Sequence, residues 1–580
     1  MLDISADSVS DSDLLAHALS NLTSGNPNSE DFVIKHGSAF VNEWERRDEK
    51  TGLRSDGGPS NPNHLLGCFP WLFPYGKGGF EVYRRLDVPY ETHARWAITY
   101  ADKRFRRDER FVFQVFGVVQ KRLICRSAAL QVKRSSYRSV ETALLSLKRR
   151  DFEKASQEEA MKKQFSNPVM KSLRSQVSAI RARVPGTNEY RTRMRAKVWS
   201  TIVQYGPPSI WITINPSDTQ NPIAQVLAGE NIDLDNFLPS MSPNAAQRAI
   251  NVAEDPYASA KFFEFVMEAL LEHMFGLISY NGYMKRKTGV MGRIRAFIFA
   301  KEVQGRGGSP HGHGLIWLED APTSQLMEKA IKDEEFRLKI ARFIQSLIHA
   351  DIDDKTEEEI RAMPVMKSPS NARPIDPRAP GALVAIAEQE KQLARSLQYH
   401  VCHEQTCLRY VNKILICKRG IPFQESDEVW VSALGEWAAK RSCGRMNNWC
   451  PYLLWALFCN NDIKLILNAG ATKNLTFYVG TYQFKNQPIT NLSALLAKQM
   501  AFTVRSTDAG KVQRVRDVNK RLLTKCANTL NKGYDIPATE VIALLMGWGI
   551  TIESHTYTRL YWDVAFRALL EQFPQLMGDG

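Results

Sequence analysis

Two histidines separated by a single residue, His311 and His313, open the apolar run PHGHGLIWL at 310–318. Alternate residues of a β-strand point to the same side of a sheet, so the run predicts a strand with both imidazoles on one face. Imidazoles placed in this way can bind one divalent metal ion. Many His-x-His pairs are instead half-buried strand residues that bind nothing, so the neighbouring elements must decide between the two interpretations.

The strand beside the histidines is predicted at 295–303 (RAFIFAKEV), and the turn GRGGS at 305–309 would join the two strands as an antiparallel hairpin. Glu302 and Gln304 share one face of this element because they are two residues apart. Either side chain could complete a three-ligand site and leave positions open for a phosphate oxygen and a water molecule. Imidazoles with an oxygen donor suit Mg²⁺ or, better, Mn²⁺, and zinc is an alternative.

Far downstream, Tyr478 and Tyr482 lie four residues apart in a segment predicted to be helical, so both phenols would project from one helix face. Such pairs are usually packing residues, and a phenol with a pKa of about 10 is a poor nucleophile at neutral pH. A metal ion that polarises a phosphate would make attack by a tyrosine feasible. Metal ligands and paired tyrosines together predict DNA-strand cleavage through a tyrosine–phosphate bond, with Lys485 neutralising the phosphate.

A second cluster of metal-ligand residue types offers three thiols and two imidazoles: His400, Cys402, His403, Cys407 and Cys417. Tetrahedral zinc takes four such ligands, and the short spacings are typical of a structural site. We favour Cys402, Cys407 and Cys417 with one of the two histidines. Free buried cysteines are the alternative.

The size and charge of the chain indicate a globular protein with a polyanionic partner. At 580 residues it is too long for one ordinary core, so several packed units are expected. Its net charge is +14 although its first residues are acidic, so the positive charge lies after residue 40. Phosphates of a nucleic acid would suit this charge, and simple solubility is the alternative.

Three basic clusters with interleaved aromatic residues follow within 90–200: KRFRR at 103–107, KRR at 148–150 and RTRMRAK at 191–197. This pattern is compatible with a nucleic-acid surface, and a solvated helix face is the alternative for any single cluster. The residues predicted to contact DNA are Arg104, Arg106, Arg107, Arg191, Arg193, Arg195 and Lys197.

Membrane insertion and secretion are both disfavoured. No window approaches the roughly 18 consecutive apolar residues that span a bilayer, so no membrane partner is expected. The N-terminus lacks a basic and then apolar signal pattern. An odd number of cysteines, nine, without a secretion signal favours a reducing compartment.

The order of these motifs resembles that of HUH-type rolling-circle nucleases. It runs from the strand SIWITI at 209–214, through the Glu302–His313 region, to the Tyr478–Lys485 region. More narrowly, the chain resembles the replication-initiator-like region of fungal-type Helitron transposases, over roughly residues 60–570. Further matching stretches are FPWLFPYG at 69–76, YGPPS at 205–209, TINPSD at 213–218, NNDIKL at 460–465 and MGWG at 546–549.

The resemblance implies that His311 and His313 are metal ligands, with Gln304 the better third ligand and Glu302 the second choice. It implies that Tyr478 and Tyr482 are candidate nucleophiles, which nick and join single-stranded DNA at transposon ends through a 5′-phosphotyrosine. Relatives carry a Cys/His cluster at the corresponding place, which favours zinc there. The turn before Pro310 is one residue longer than is usual in the family, so the register of Gln304 and Glu302 stays open.

Helitron transposases continue into a superfamily 1 helicase, which needs a Walker A loop, G-x-x-x-x-G-K-[ST], to hold ATP. This sequence contains no such loop. We therefore expect the nuclease-like half without the motor, no ATP binding, a helicase in trans as a candidate partner, and a nuclear location. A catalytically inactive or repurposed DNA-binding remnant is the alternative. A hydrolase that uses the histidines alone would leave the tyrosines unexplained.

The expected fold class is α/β (α+β), with a central antiparallel HUH-nuclease-like sheet flanked by helices, a helical basic N-terminal region and a small Cys/His module. The predicted divisions are a disordered acidic tail at 1–40, a basic and mainly helical region at 41–200, the first part of the nuclease-like core at 201–320, a helical insertion or linker at 321–395, the Cys/His module at 396–455, the tyrosine-helix part of the core at 456–510 and a C-terminal helical segment at 511–580.

Overall fold

The computed structural model describes residues 64–82, 84–280, 283–303, 309–404, 407–411, 414–467, 515–531, 535–558, 562–573 and 575. The predicted acidic tail at 1–40, Gln304, and the segment with Tyr478, Tyr482 and Lys485 lie outside these residues. The described residues form two compact units. The first unit holds 64–191, 253–260 and 515–548, and the second holds 192–252, 261–467 and 549–575.

Helices are the commonest regular elements of the described chain. Their bounds are α1 His64–Cys68, α2 Tyr90–Ile98, α3 Arg104–Arg107, α4 Glu109–Gln131, α5 Ser135–Arg138, α6 Glu141–Leu144, α7 Arg149–Ala160, α8 Pro168–Arg181, α9 Asn188–Tyr205, α10 Pro222–Ala228, α11 Ala245–Glu254, α12 Pro256–Ala269, α13 Ser324–Ala330, α14 Glu334–Leu347, α15 Glu357–Ala362, α16 Ala382–Leu397, α17 Pro451–Leu457, α18 Val515–Asn531, α19 Ala538–Met546 and α20 Trp562–Gln572. A π-helical turn, Leu270–Met274, follows α12 directly. Among the described residues, no helix is both long and apolar enough to span a membrane.

The strands are β1 Ile210–Asn215, β2 Leu277–Tyr280, β3 Tyr283–Arg286, β4 Ile294–Val303, β5 Pro310–Leu318, β6 Leu408–Val411, β7 Ile414–Cys417, β8 Trp430–Val431, β9 Trp437–Ala438, β10 Asn460–Leu465 and β11 Thr551–Glu553. Five of them form one antiparallel sheet in the order β10-β1-β5-β4-β11. The pairs β2–β3, β6–β7 and β8–β9 are separate two-stranded hairpins. The predicted α/β fold class is therefore confirmed.

The first unit is helical in all its described elements and is organised around α4. Asp108 caps this helix by accepting a hydrogen bond from the backbone N–H of Phe111, at 2.9 Å. The first half of α4 buries Phe111 and Phe116 in an aromatic core with α2, α3 and α19. The second half buries Ile124 and Ala128 against α8 and α18. One long amphipathic helix thus serves two apolar cores.

Two of the arginines predicted to contact DNA lie in buried ion pairs of this unit. The Nε and Nη2 atoms of Arg106 both donate to Oδ2 of Asp255, at 2.9 and 2.7 Å, and its guanidinium lies over the Tyr257 ring. Nη2 of Arg191 donates to both carboxylate oxygens of Glu540, at 2.6 and 2.7 Å. A buried cation is retained because it is paired. The assignment of Arg106 and Arg191 to a DNA surface is therefore wrong.

The other five cations of that prediction are more accessible. Lys197 forms an ion pair with Glu553 at 2.6 Å, and the partly buried Arg104 pairs with Asp102 at 3.0 Å. Arg195 is partly buried, whereas Arg107 and Arg193 are exposed. Their contact with DNA stays a prediction.

The five-stranded sheet has one apolar face and one face that carries polar side chains. The apolar face bears Ile212 and Phe299, which belong to a core that also contains Phe263 and Met267 of α12. His311 and His313 lie on the opposite face, because they alternate along β5 with Gly312 and Gly314. The predicted hairpin of β4 and β5 is confirmed, with Glu302 opposite His311 and Ala300 opposite His313.

Gly314 is required where β5 meets the apolar core. A Cβ atom on Gly314 would lie 2.3 Å from Cε1 of Phe299 and 2.8 Å from Cγ2 of Ile212, whereas a Cβ on Gly312 would meet its nearest neighbour at 3.4 Å. We expect Gly314→Ala to destabilise the second unit by about 1–3 kcal/mol, since overpacking forces the phenyl ring to move. Gly312→Ala is the matched control and should be nearly neutral. Denaturant unfolding of the two variants checks this, and equal stabilities would contradict the steric argument.

The described parts of the predicted insertion at 321–395 are helical, with α13, α14, α15 and α16. A second core of this unit surrounds the fully buried Trp449, against Leu393 of α16 and Ile360 of α15. The C-terminal segment at 511–580 was predicted to be helical but also contains β11, which pairs with Ile298–Ala300 of β4. Its three residues are too few to show a periodicity in the sequence.

Candidate metal centres

The side chains of His311, His313 and Glu302 converge on one point at the polar face of the sheet. The Nε2 atoms of His311 and His313 are 3.1 Å apart. Oε2 of Glu302 lies 3.5 Å from Nε2 of His311 and 3.3 Å from Nε2 of His313. One donor atom from each residue falls within 4.8 Å of the others. Because β4 and β5 are neighbours and Glu302 stands opposite His311, the hairpin itself assembles this group.

Burial and charge prepare these three side chains to bind a cation. Both histidines are buried, with 4% and 5% of their surface exposed. Burial by itself would raise the pKa of Glu302, but hydrogen bonds and charge from His311 and His313 outweigh it and lower that pKa to about 2. The carboxylate is therefore ionised at neutral pH. Two imidazole nitrogens and one carboxylate oxygen aimed at one position fit a divalent metal ion.

Thr213 fixes the orientation of His313. Its Oγ1 lies 3.0 Å from Nδ1 of His313, and the two residues are directly opposite in the β1–β5 register. A partner on Nδ1 sets the tautomer and leaves Nε2 for a ligand. The Trp211 ring lies nearly parallel to the same imidazole, at 6.4 Å and 11°. Sequence reasoning missed Thr213, although it is the polar residue inside the otherwise apolar run WITI.

Asp462 continues this row of side chains onto β10, where it stands opposite Thr213. Burial raises the pKa of Asp462, and the positive charges of Lys464, Arg419 and Arg441 oppose that shift. Within the described part of the chain, its Oδ1 has no hydrogen-bond partner. Sequence reasoning missed this residue too, because only the strand order brings it near the histidines.

Several predicted site residues are not positioned by the structure. Gln304 and the residues Tyr478, Tyr482 and Lys485 lie outside the described residues. The preference for Gln304 over Glu302 as third ligand therefore stays a prediction, while Glu302 is the residue that the described structure brings to the histidines.

A second group of donor atoms consists of His400, Cys402, Cys407 and Cys417. One ligand atom from each lies within 4.8 Å of all the others, and Nε2 of His400 is 3.5 Å from Sγ of Cys417. His403, the other histidine considered, has an exposed side chain and is not part of this group. All nine cysteines are free thiols, so no disulfide competes for these sulfurs.

Backbone amides and the guanidinium of Arg445, whose Nη1 lies 3.9 Å from Sγ of Cys402, donate to the thiols of this group. The N–H of His403 donates to Sγ of Cys407 at 3.1 Å, and that of Arg419 donates to Sγ of Cys417 at 3.4 Å. Burial opposes ionisation of Cys417, but the amides of Arg419 and Ile421 and the neighbouring thiols lower its pKa below the ordinary value. Such donors stabilise a thiolate, the form that binds metals. Three sulfurs and one imidazole are a tetrahedral donor set.

A sequence comparison shows what the segment with the first candidate metal centre is similar to. Residues 93–316 match the family model described as "Helitron helicase-like domain at N-terminus". The matched stretch begins in α2 and ends in β5, just beyond His313. No curated protein matches the chain. The resemblance predicted from the motifs is thereby confirmed for residues 93–316, which are similar to a Helitron helicase-like N-terminal domain, and this similarity suggests a Helitron-related function.

Proposed function

We propose that this protein nicks and joins single-stranded DNA by transesterification at the site of His311, His313 and Glu302. The observation that carries the proposal is the convergence of these three side chains inside a Helitron helicase-like domain. A tyrosine pair and a lysine, Tyr478/Tyr482 and Lys485, stand downstream in the sequence to complete the chemistry.

Each side chain of the centre has a defined task in this proposal. His311, His313 and Glu302 would hold a divalent ion, and Thr213, through its contact with Nδ1, keeps Nε2 of His313 available as a ligand. Mn²⁺ suits the two imidazoles better than Mg²⁺ does. When bound, the ion would supply positive charge to the phosphate under attack. Trp211, whose ring is parallel to His313 and lies under the Lys464 ammonium, offers an aromatic surface beside the site.

The reaction exchanges one phosphate ester for another. The phenol oxygen of Tyr478 or Tyr482 forms a bond to phosphorus, and the bond between phosphorus and the 3′ oxygen breaks. The phenol loses its proton and the leaving 3′ oxygen gains one. The protein then carries a 5′-phosphotyrosine, and attack by a 3′-hydroxyl reverses the step and joins strands. Lys485 balances the charge of the phosphate.

The Cys/His group is assigned a structural zinc ion in this proposal. Three thiols and the imidazole of His400 match the ligand number and types of such sites. The transposon ends would be the single-stranded substrate, the nucleus the place of action, and a helicase in trans the source of unwound DNA. A DNA-binding remnant without chemistry is the competing function.

Incubation with labelled single-stranded oligonucleotides and Mn²⁺ tests the proposal. A covalent protein–DNA adduct that survives denaturing electrophoresis is expected, and it should disappear in the Tyr478→Phe/Tyr482→Phe double variant. Tyr75→Phe is the matched control, because Tyr75 is 88% exposed and belongs to the first unit. Binding without an adduct on every tested sequence would favour the remnant. Cleavage that survives loss of both tyrosines would favour a hydrolase.

A further inference from the structure

The β6–β7 hairpin is anchored at its base by two residues of the Cys/His group. Cys407 immediately precedes β6, and Cys417 is the last residue of β7, opposite Leu408. A two-stranded hairpin is marginally stable by itself in water. Candidate ligand residues at the base of both strands would therefore stabilise a hairpin whose own hydrogen bonds are not sufficient to keep it folded.

This hairpin exposes large apolar side chains on both of its faces. Tyr410 is 77% exposed and stands opposite Leu415, which is 45% exposed. On the other face, Ile414 is 66% exposed and stands opposite Val411 at 40%. Exposed apolar groups clustered in this way mark interaction sites. The exposed residues of the hairpin are thus available to a ligand.

The charged residues of the hairpin itself are all positive, although Glu404 and Glu425 border the segment on its two sides. Residues 405–424 contain Arg409, Lys413, Lys418 and Arg419 and no aspartate or glutamate. Cations with an exposed aromatic ring and no carboxylate are the combination that binds single-stranded nucleic acid, by phosphate contacts and base stacking. A protein partner would not require this absence of carboxylates.

We propose that the β6–β7 hairpin is a binding arm for single-stranded DNA. Tyr410 stacks on a base, Leu415, which stands opposite it on the same face, contacts a neighbouring base, and the exposed side chain of Arg409 reaches a phosphate. The choice of DNA as ligand rests on the proposed function, whereas the arm itself rests on exposure and charge. Binding of single-stranded DNA to the hairpin does not require that the DNA is cleaved.

Fluorescence anisotropy with a labelled single-stranded oligonucleotide tests the arm, in buffer without added Mg²⁺ or Mn²⁺ so that no cleavage occurs. Tyr410→Ala is expected to weaken binding by about 5- to 100-fold, the usual range for loss of one stacked base. Tyr410→Phe should bind like the unchanged protein, because it keeps the aromatic face. Tyr75→Ala is the matched control. Arg409→Gln should lower the slope of log Kd against log salt concentration by about one.

Zinc content and thermal unfolding of each variant show whether the module is intact. Unchanged binding in an intact Tyr410→Ala variant, or equal losses in Tyr410→Ala and Tyr410→Phe, would overturn the proposal. A change in oligomeric state in Tyr410→Ala with unaltered DNA binding would overturn it as well, because the surface would then bind a second copy. If Tyr410 contributes to DNA binding but no covalent adduct forms, only the proposed nicking reaction is contradicted. If an adduct forms but Tyr410→Ala binds DNA normally, only the proposed binding arm is contradicted.

Discussion

Alanine in place of His313 is expected to lower both the affinity for Mn²⁺ and the rate of adduct formation by more than about 100-fold. The reason is that His311 and Glu302 would remain as the only members of the three-residue donor group. Thr213→Val removes the contact with Nδ1 of His313 but keeps the ligand, so a smaller loss of about 10- to 100-fold is expected. Calorimetric titration with Mn²⁺ and the rate of adduct formation on labelled DNA measure the two effects.

His273→Ala is the matched control for this series. His273 is an exposed histidine on the π-helical turn of the same unit and belongs to neither donor group. Its affinity for Mn²⁺ and its adduct rate should equal those of the unchanged protein. Full Mn²⁺ affinity in His313→Ala would show that the three side chains do not form the metal centre.

Serine in place of Cys417 is expected to release the zinc ion and unfold the β6–β7 hairpin. The sulfur is one of four donors, and a structural zinc contributes on the order of 10 kcal/mol to the folding of small zinc-dependent modules. Cys417 is also the last residue of β7 and pairs with Leu408 of β6. Its replacement therefore removes a zinc ligand and weakens the pairing of the two strands at the same time. Elemental analysis should show zinc falling from about one ion per chain to almost none.

Limited proteolysis reports on the hairpin in the same variant. Cleavage within the hairpin should become fast in Cys417→Ser, and in the unchanged protein after treatment with a zinc chelator. Cys68→Ser is the control, since Cys68 is an exposed thiol outside the donor group. A Cys417→Ser protein that keeps its zinc and resists the protease would exclude a structural role for this group.

Local patterns were sufficient to predict the elements that carry the first centre. Alternation along β5 placed His311 and His313 on one face, and the glycine-rich stretch between the two strands predicted that β4 and β5 pair in antiparallel order, as they do. The same alternation could not choose between Glu302 and Gln304, because it puts both on one face. Only the register, with Glu302 opposite His311, shows that the glutamate reaches the imidazoles.

Contacts between distant parts of the chain were not predictable in this way. The partners of Arg106 and Arg191 lie 149 and 349 residues away, so a basic cluster looks the same in the sequence whether it faces water or a buried carboxylate. Thr213 and Asp462 gain their significance from the strand order β10-β1-β5. Spacing along the chain contains no signal for such neighbours.

The order of the strands in the sheet has a consequence for synthesis on the ribosome. The three inner strands are complete once residue 318 has emerged, but the outer strands β10 and β11 come from 460–465 and 551–553. Until β10 and β11 have been synthesised, the outer edges of β1 and β4 are unpaired and can pair with other chains. A chain that stopped before residue 551 would keep the outer edge of β4 open. The edges of β1 and β4 therefore stay unpaired through much of translation, until β10 and then β11 are made.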